Sequence, residues 1–222
     1  MKCAVILFPG TSGELEMGKA LEMQDYQVEY VSHSESSLAG FDVIVLPGGF
    51  SYGDYFRPGA VAALANIIPA VKTAAEAGVL ILGVGNGFQI LTEIGLLPGG
   101  FLQNETGKFF CGQVDVTVEN NETAFTNAYE KGETLSIAFA SGQSNYWVDD
   151  TTLATLKAQG RIVFTYGENI NGSRGNIAGI INETGNVLGV MPCFERAVES
   201  LVGTEDGRRL FESMSREGRG QQ

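Results

Sequence analysis

Residues 79–99 read VLILGVGNGFQILTEIGLLPG, and this stretch decides the fold. VLILGV is a short apolar run with branched side chains, the pattern of a strand buried on both faces. GVGNG is too rich in glycine to continue that strand, and FQILTEI resumes with apolar residues at helical spacing. Strand, sharp turn and helix in the pattern G-x-nucleophile-x-G hold a reactive side chain at the top of a hydrolase sheet. Here the apex position is Gly85. An elbow of this kind forces its apex into strained, positive-φ backbone, at a cost of about 1–3 kcal/mol for a non-glycine residue. Glycine adopts that backbone with little strain. Gly85 is therefore what bare sterics select when no chemistry is imposed.

Outward from this stretch the first half alternates strands and helices. KCAVILF is followed by the helical LEMGKALEM, then by the β-branched runs QVEYVS and FDVIVLPGG. GAVAALANIIPAVKTAAEAG is Ala-rich and periodic, and predicts a helix closed by Gly78. Repeated βα units with nearly continuous apolar strands imply a parallel sheet covered by helices on both faces. The second half changes character. QVDVTVEN, TLSIAFA, RIVFTYG and NIAGIINETGNVLGVMP predict antiparallel strands, the last a hairpin turning at Thr184-Gly185-Asn186. AVESLVGTEDGRRLFESMSRE predicts a helical pair interrupted at GTEDG, with a frayed tail over about 215–222. No linker-like segment splits the chain, so 1–222 is expected to form one α/β domain.

The 222 residues carry a formal net charge of −12, from 14 basic and 26 acidic side chains. Such a surface repels nucleic acid and anionic membranes, so neither is an expected partner. Cys3, Cys111 and Cys193 are odd in number and far apart, which fits a reducing cytosol better than a disulfide framework. The opening MKCAVILFPG is too short for a signal core or a membrane span and reads as the first strand, so the expected compartment is cytoplasmic. No His, Cys and carboxylate cluster has metal-ligand spacing, and no G-x-x-x-x-G-K-[ST] phosphate loop occurs.

Open α/β sheets bind ligands beyond the carboxyl ends of their strands. Three turns fall there: FPGTSGE at 8–14, LPGGFSYGDYFRPGA at 46–60 and GVGNGF at 83–88. Gly48 and Gly49 allow close backbone approach, so their N–H groups are candidates to hold an oxyanion. One such turn alone is more simply a change of chain direction. Three converging at one sheet edge point to a site.

LPGGFSYGDYFRPGA, GVGNGFQIL, FTYGENINGS and NETGNVLGVMPCFERA resemble the glutaminase subunits of phosphoribosylformylglycinamidine synthase, a purine-biosynthetic enzyme. These are class I, triad-type glutamine amidotransferases, and the likeness runs from KCAVILFPG to DGRRLF. It implies a flavodoxin-like, mostly parallel sheet flanked by helices, with antiparallel strands in the second half. It also implies a Cys–His–Glu triad that releases ammonia from glutamine through a thioester, with no cofactor. Against that pattern Gly85 occupies the nucleophile position and Cys193 the histidine position, while Glu195 keeps the identity of the triad acid. Asn86 and Gln89 fall at oxyanion and substrate-binding positions. The family's H-G-E-G-N appears here as Ser141-Gly142-Gln143-Ser144-Asn145, and its first turn as PGTSGE.

Neither missing group has an obvious substitute. His33, the single histidine, follows a different strand and reads as a surface or edge residue. Cys193 beside Glu195 reads as an inert small hydrophobe, because a neighbouring carboxylate disfavours a thiolate. Loss of a nucleophile or base from a comparable triad costs about 10⁶-fold in turnover, so hydrolysis by the family mechanism is expected to be negligible. Three functions stay open. The first is a non-hydrolytic assembly subunit docked on the large synthetase subunit and, where one is used, a small bridging subunit. The second is a glutaminase working through unrecognised residues. The third is a module that binds glutamine or another small metabolite.

Overall fold

Apolar runs become strands where the expected alternation puts them: β1 (Lys2–Leu7), β2 (Gln27–Ser32), β3 (Val43–Leu46) and β4 (Leu80–Val84). The second half supplies β5 (Gly100–Leu102), β6 (Phe110–Val118), β7 (Thr134–Ser141), β8 (Asn145–Trp147), β9 (Ile162–Tyr166), β10 (Ile177–Ile181) and β11 (Val187–Val190). In the computed structural model, which describes residues 1–220, nine of these strands form one sheet in the order β2-β1-β3-β4-β11-β10-β9-β6-β7. Pairing is parallel from β2 through β11 and antiparallel from β11 through β7. β5 and β8 form a separate antiparallel ribbon. The α/β class, with a parallel first half and an antiparallel second, is the one the patterning predicts.

Position in the sheet explains composition. VIVL of β3, IAGII of β10 and VLGV of β11 are buried throughout, whereas β2 at the edge leaves half of its residues exposed. The β10–β11 hairpin is closed by Asn182, whose side-chain oxygen accepts from the N–H groups of Asn186 and Val187, each at 3.0 Å. Gly185 takes the positive φ of 78° that the turn needs.

Five helices flank the sheet: α1 (Glu14–Glu22), α2 (Ile68–Glu76), α3 (Asn86–Glu93), α4 (Asp150–Ala158) and α5 (Arg208–Gly220). Three expectations need correction. The helix expected from residue 60 begins only at Ile68, with Pro69 in its first turn, and the preceding residues make a single 3₁₀ turn at Ala62–Leu64. Proline tolerates the first turn of a helix and not its interior. The C-terminal helical pair is one helix, α5, preceded by short 3₁₀ turns at Phe194–Arg196 and Ser200–Val202. α4 falls in a region read as strands alone; Asp149 caps it by accepting from the Thr152 N–H at 2.8 Å. α5 runs to Gly220, and the last two residues of the tail expected to fray lie outside the described residues.

Glycines set how closely α3 approaches the sheet. Gly83 of β4 pairs with Gly189 of β11. A Cβ at Gly83 would lie 2.7 Å from the Gly87 carbonyl carbon, and one at Gly189 would collide with the Phe88 ring. A Cβ at Gly87 would strike the Leu46 carbonyl oxygen. The helix therefore rests directly on the strands, which carries its N-terminus and Gly85 to their carboxyl ends.

Candidate functional site

The three glycine turns meet at the ends of β1, β3 and β4. The Gly48 carbonyl accepts from the N–H groups of Ser12 and Gly13 at 3.1 and 3.2 Å, and Phe50 N–H donates to the Gly10 carbonyl at 2.9 Å. A Cβ at Gly49 would lie 2.7 Å from the Gly10 oxygen, so this crossing admits only glycine. Among the described residues no hydrogen bond engages the Gly49 N–H. Asn86 opens α3, so its N–H is one of the first-turn donors without a helical acceptor.

Gly85 has φ 53° and ψ −109°, and its N–H donates to the Val190 carbonyl at 2.8 Å. The backbone is that of a nucleophile elbow. A Cβ there would meet only the Gly48 Cα at 3.8 Å and the Met191 oxygen at 3.9 Å, ordinary contact distances. The apex has room for a side chain that the sequence does not supply.

From the other side β11 runs on into Met191-Pro192-Cys193. Cys193 N–H donates to the Ala138 carbonyl of β7 at 2.7 Å, which fixes the segment against the antiparallel strands. Gly48, Gly49, Gly85, Asn86, Gln89, Cys193 and Glu195 all line one cleft of about 380 Å³. The sequence thus named residues that the fold brings together.

Electrostatics in the cleft follow from burial. Cys193 is buried, which pushes its thiol well above the usual range, and Glu195 pushes it further, so the sulfur stays protonated at neutral pH. Glu195 is 2% exposed, and burial raises its carboxyl to about 7. Its Oε2 has no hydrogen-bond partner among the described residues. Glu195 is a buried carboxyl with the Cys193 thiol beside it in the cleft.

Gln89, 4% exposed, has its amide engaged within the protein. It accepts from Asn86 Nδ2 at 3.0 Å and donates to the Gln143 carbonyl at 2.7 Å. Asn86 Oδ1 in turn accepts from the Ser51 N–H at 3.0 Å. These bonds tie the elbow to the 141–145 turn and to the loop after β3. Ser141, Gly142 and Gln143 line the cleft. Ser144 is buried behind them in a network with Asn104 and Asn171. His33 lies outside the cleft lining, half-buried, with Nδ1 2.8 Å from Tyr52 Oη and its ring stacked on Phe8.

Sequence reasoning missed Asp54, Phe50, Phe109 and Arg196, which also line the cleft. Asp54 stood inside a turn already quoted, and a carboxylate in a glycine-rich loop at a strand end was the available signal. Phe109 gave none, since only the antiparallel packing brings it there.

A mixed sheet whose parallel half carries an elbow-shaped turn at its ligand edge fits a glutamine amidotransferase scaffold. The chain belongs to the CobB/CobQ-like glutamine amidotransferase family, whose model matches residues 1–209. It is 47% identical to a chain in the structure of PurLQS from Thermotoga maritima, covering 97% of this chain and 98% of that one at a TM-score of 0.91. This agrees with the resemblance read from the sequence. A glutamine amidotransferase from Thermotoga maritima is 16% identical, with 99% and 92% coverage and a TM-score of 0.61. The glutaminase domain of Trypanosoma brucei CTPS with bound acivicin is 15% identical, with 98% and 94% coverage and a TM-score of 0.65. At those identities the likeness speaks of the fold alone. Among the described residues, no group of three or more His, Cys, Asp or Glu could hold a metal ion, and no helix is long and apolar enough to cross a membrane.

Proposed function

We propose that this chain is a non-hydrolytic, glutaminase-type subunit of phosphoribosylformylglycinamidine synthase, which holds glutamine intact and docks on the large synthetase subunit in the cytosol. One observation carries the reading. The elbow, the free Gly49 N–H and the first-turn N–H of Asn86 are in place, while the apex is a bare glycine and the base position a buried, protonated thiol. Backbone donors without a nucleophile can bind an amide carbonyl and cannot cleave it. The relative in PurLQS supports the choice of complex.

The surface around the cleft favours docking. Phe50 and Phe109 line it with exposed rings, their centroids 6.5 Å apart, and the same loop carries exposed Tyr55 and Phe56, the latter 96% exposed. Contiguous exposed apolar side chains rimmed by polar ones mark protein interaction sites. Ammonia for the synthetase would come from solution or from another glutaminase. The test mixes the chain with its cognate synthetase, nucleotide and glutamine on a sizing column while following ammonia release. Co-elution without ammonia release is expected. Absence of any complex, or glutamine turnover at a pathway-supporting rate, overturns the reading.

A further inference from the structure

Asp54 is the cleft residue that neither the scaffold nor the triad chemistry uses. It sits in a loop where Tyr52, Asp54 and Phe56 hold left-handed backbone at φ 53°, 55° and 66°. Each such conformation costs a non-glycine residue on the order of 1–3 kcal/mol and persists where the surroundings over-determine it, often at ligand clamps. The Asp54 carboxylate is half-buried against the cleft, and no ion pair among the described residues engages it. Its side-chain contact is with Asn86 Nδ2 at 3.5 Å, at the outer limit of a hydrogen bond. Burial pushes its carboxyl up to about 6, so at neutral pH it carries a charge that nothing nearby balances.

The cleft has one other carboxylate, Glu195, which is 2% exposed and whose Oε2 is buried. Asp54 is reachable, and the Phe50 and Phe109 rings beside it present π faces that tolerate a cation. Asn86 links it to the backbone donors at the elbow. Its side chain touches Asp54 while its own N–H opens α3. Asp54 thus lies within the same cleft as the elbow, where it can meet the far end of a ligand whose carboxamide sits at the elbow.

We infer that Asp54 receives the α-ammonium of an amino-acid amide seated in the cleft and makes the site selective for α-amino acids over their des-amino counterparts. The inference rests on the reading of the cleft as a glutamine site. A charged group left unpaired on burial discriminates strongly against the ligand that lacks its partner.

The test is calorimetry on the full chain with two probes: glutamine, and 4-carbamoylbutanoate, which keeps the carboxamide and carboxylate and lacks the ammonium. Asp54→Asn removes the charge while keeping a residue type that accepts positive φ. Glutamine is expected to bind the unaltered chain on the order of 10- to 100-fold more tightly than 4-carbamoylbutanoate, and Asp54→Asn to erase that difference by weakening glutamine alone. Unchanged affinity for 4-carbamoylbutanoate doubles as proof that the variant is folded. Equal binding of both probes by the unaltered chain, or equal losses of both in the variant, overturns the inference and leaves the cleft a glutamine site. Binding of neither probe overturns both readings.

Discussion

The two walls of the cleft are built differently. The wall on the parallel strands, from the ends of β1, β3 and β4, is built on turns at Gly10–Gly13, Gly48–Gly49 and Gly83–Gly87; main-chain hydrogen bonds join the first two, and the Ser51 N–H donating to Asn86 Oδ1 ties in the third. The opposite wall, from the antiparallel strands, offers side chains: Cys193 and Glu195 on the segment after β11, with Ser141 at the end of β7 and Gln143 on the turn after it. Against the pattern that the resemblance implies, the first wall differs at its apex, Gly85, and in its first turn, PGTSGE, and the second at Cys193 and over Ser141–Asn145. Packing enforces the first, because a Cβ at Gly49 or Gly87 runs into main chain whatever the site does. Only turnover enforces an imidazole or a thiolate.

The sharpest attempt to break this contrast is to restore the two missing groups. Gly85→Cys has room for its Cβ, and Cys193→His places an imidazole next to Glu195. The double variant is expected to raise glutamine-dependent ammonia release, measured with the synthetase present, by at least about 10³-fold. Either single change is expected to gain little, because thiol and base work as a unit. A double variant no faster than the parent would show that the backbone wall has also lost its competence.

Two changes within the backbone wall separate packing from strain. Gly87→Ala drives a methyl group into the Leu46 carbonyl, a main-chain atom that cannot rotate aside. It is expected to cost about 3 kcal/mol or more, read from the urea midpoint. Gly85→Ala meets nothing closer than 3.8 Å and is expected to cost only its conformational strain, about 1–3 kcal/mol. A reversed order would mean that α3 is free to lift from the sheet.

How much of this could be read from the chain follows the same division. Positive-φ turns, buried strands and the β10–β11 hairpin have local causes, glycine and branched side chains in a fixed rhythm, and they appear where the sequence put them. α4 was hidden because TTLATLKAQG lacks a clean apolar stripe, leaving only its Asp149 cap as a signal. The late start of α2 was legible in Pro69 and was overridden by the pull of an alanine-rich run. In the cleft, the glycine turns were found through their pattern, and Cys193 and Glu195 through the resemblance. Phe109, set against Phe50, and Gln89, engaged by the Gln143 carbonyl 54 residues away, depend on long-range contacts that no local pattern encodes.

The side-chain wall has its own test in Glu195. In an unfolded chain this carboxyl loses its proton near 4.5, and in the folded protein near 7. Between those values the native state binds the extra proton, so its contribution to stability is full below the lower value and is lost as pH rises through the upper one. Glu195→Gln keeps the shape of the protonated acid. It is expected to match the parent near pH 4 and to exceed it by on the order of 3 kcal/mol at pH 8, in urea titrations at the two values. A difference independent of pH would mean that burial does not shift the Glu195 carboxyl.

The smallest effect is expected at His33, and it decides whether the division between the walls is real. This imidazole belongs to the parallel side and is held by Tyr52 Oη at 2.8 Å and by stacking on Phe8, away from the cleft lining. Losing that hydrogen bond costs at most about 1 kcal/mol. Because Tyr52 anchors the loop that carries Asp54, any kinetic trace should fall on KM. His33→Gln in the restored double variant is thus expected to leave kcat unchanged. A collapse of kcat with KM unmoved would place the ring in proton transfer. The backbone wall would then supply a base of its own.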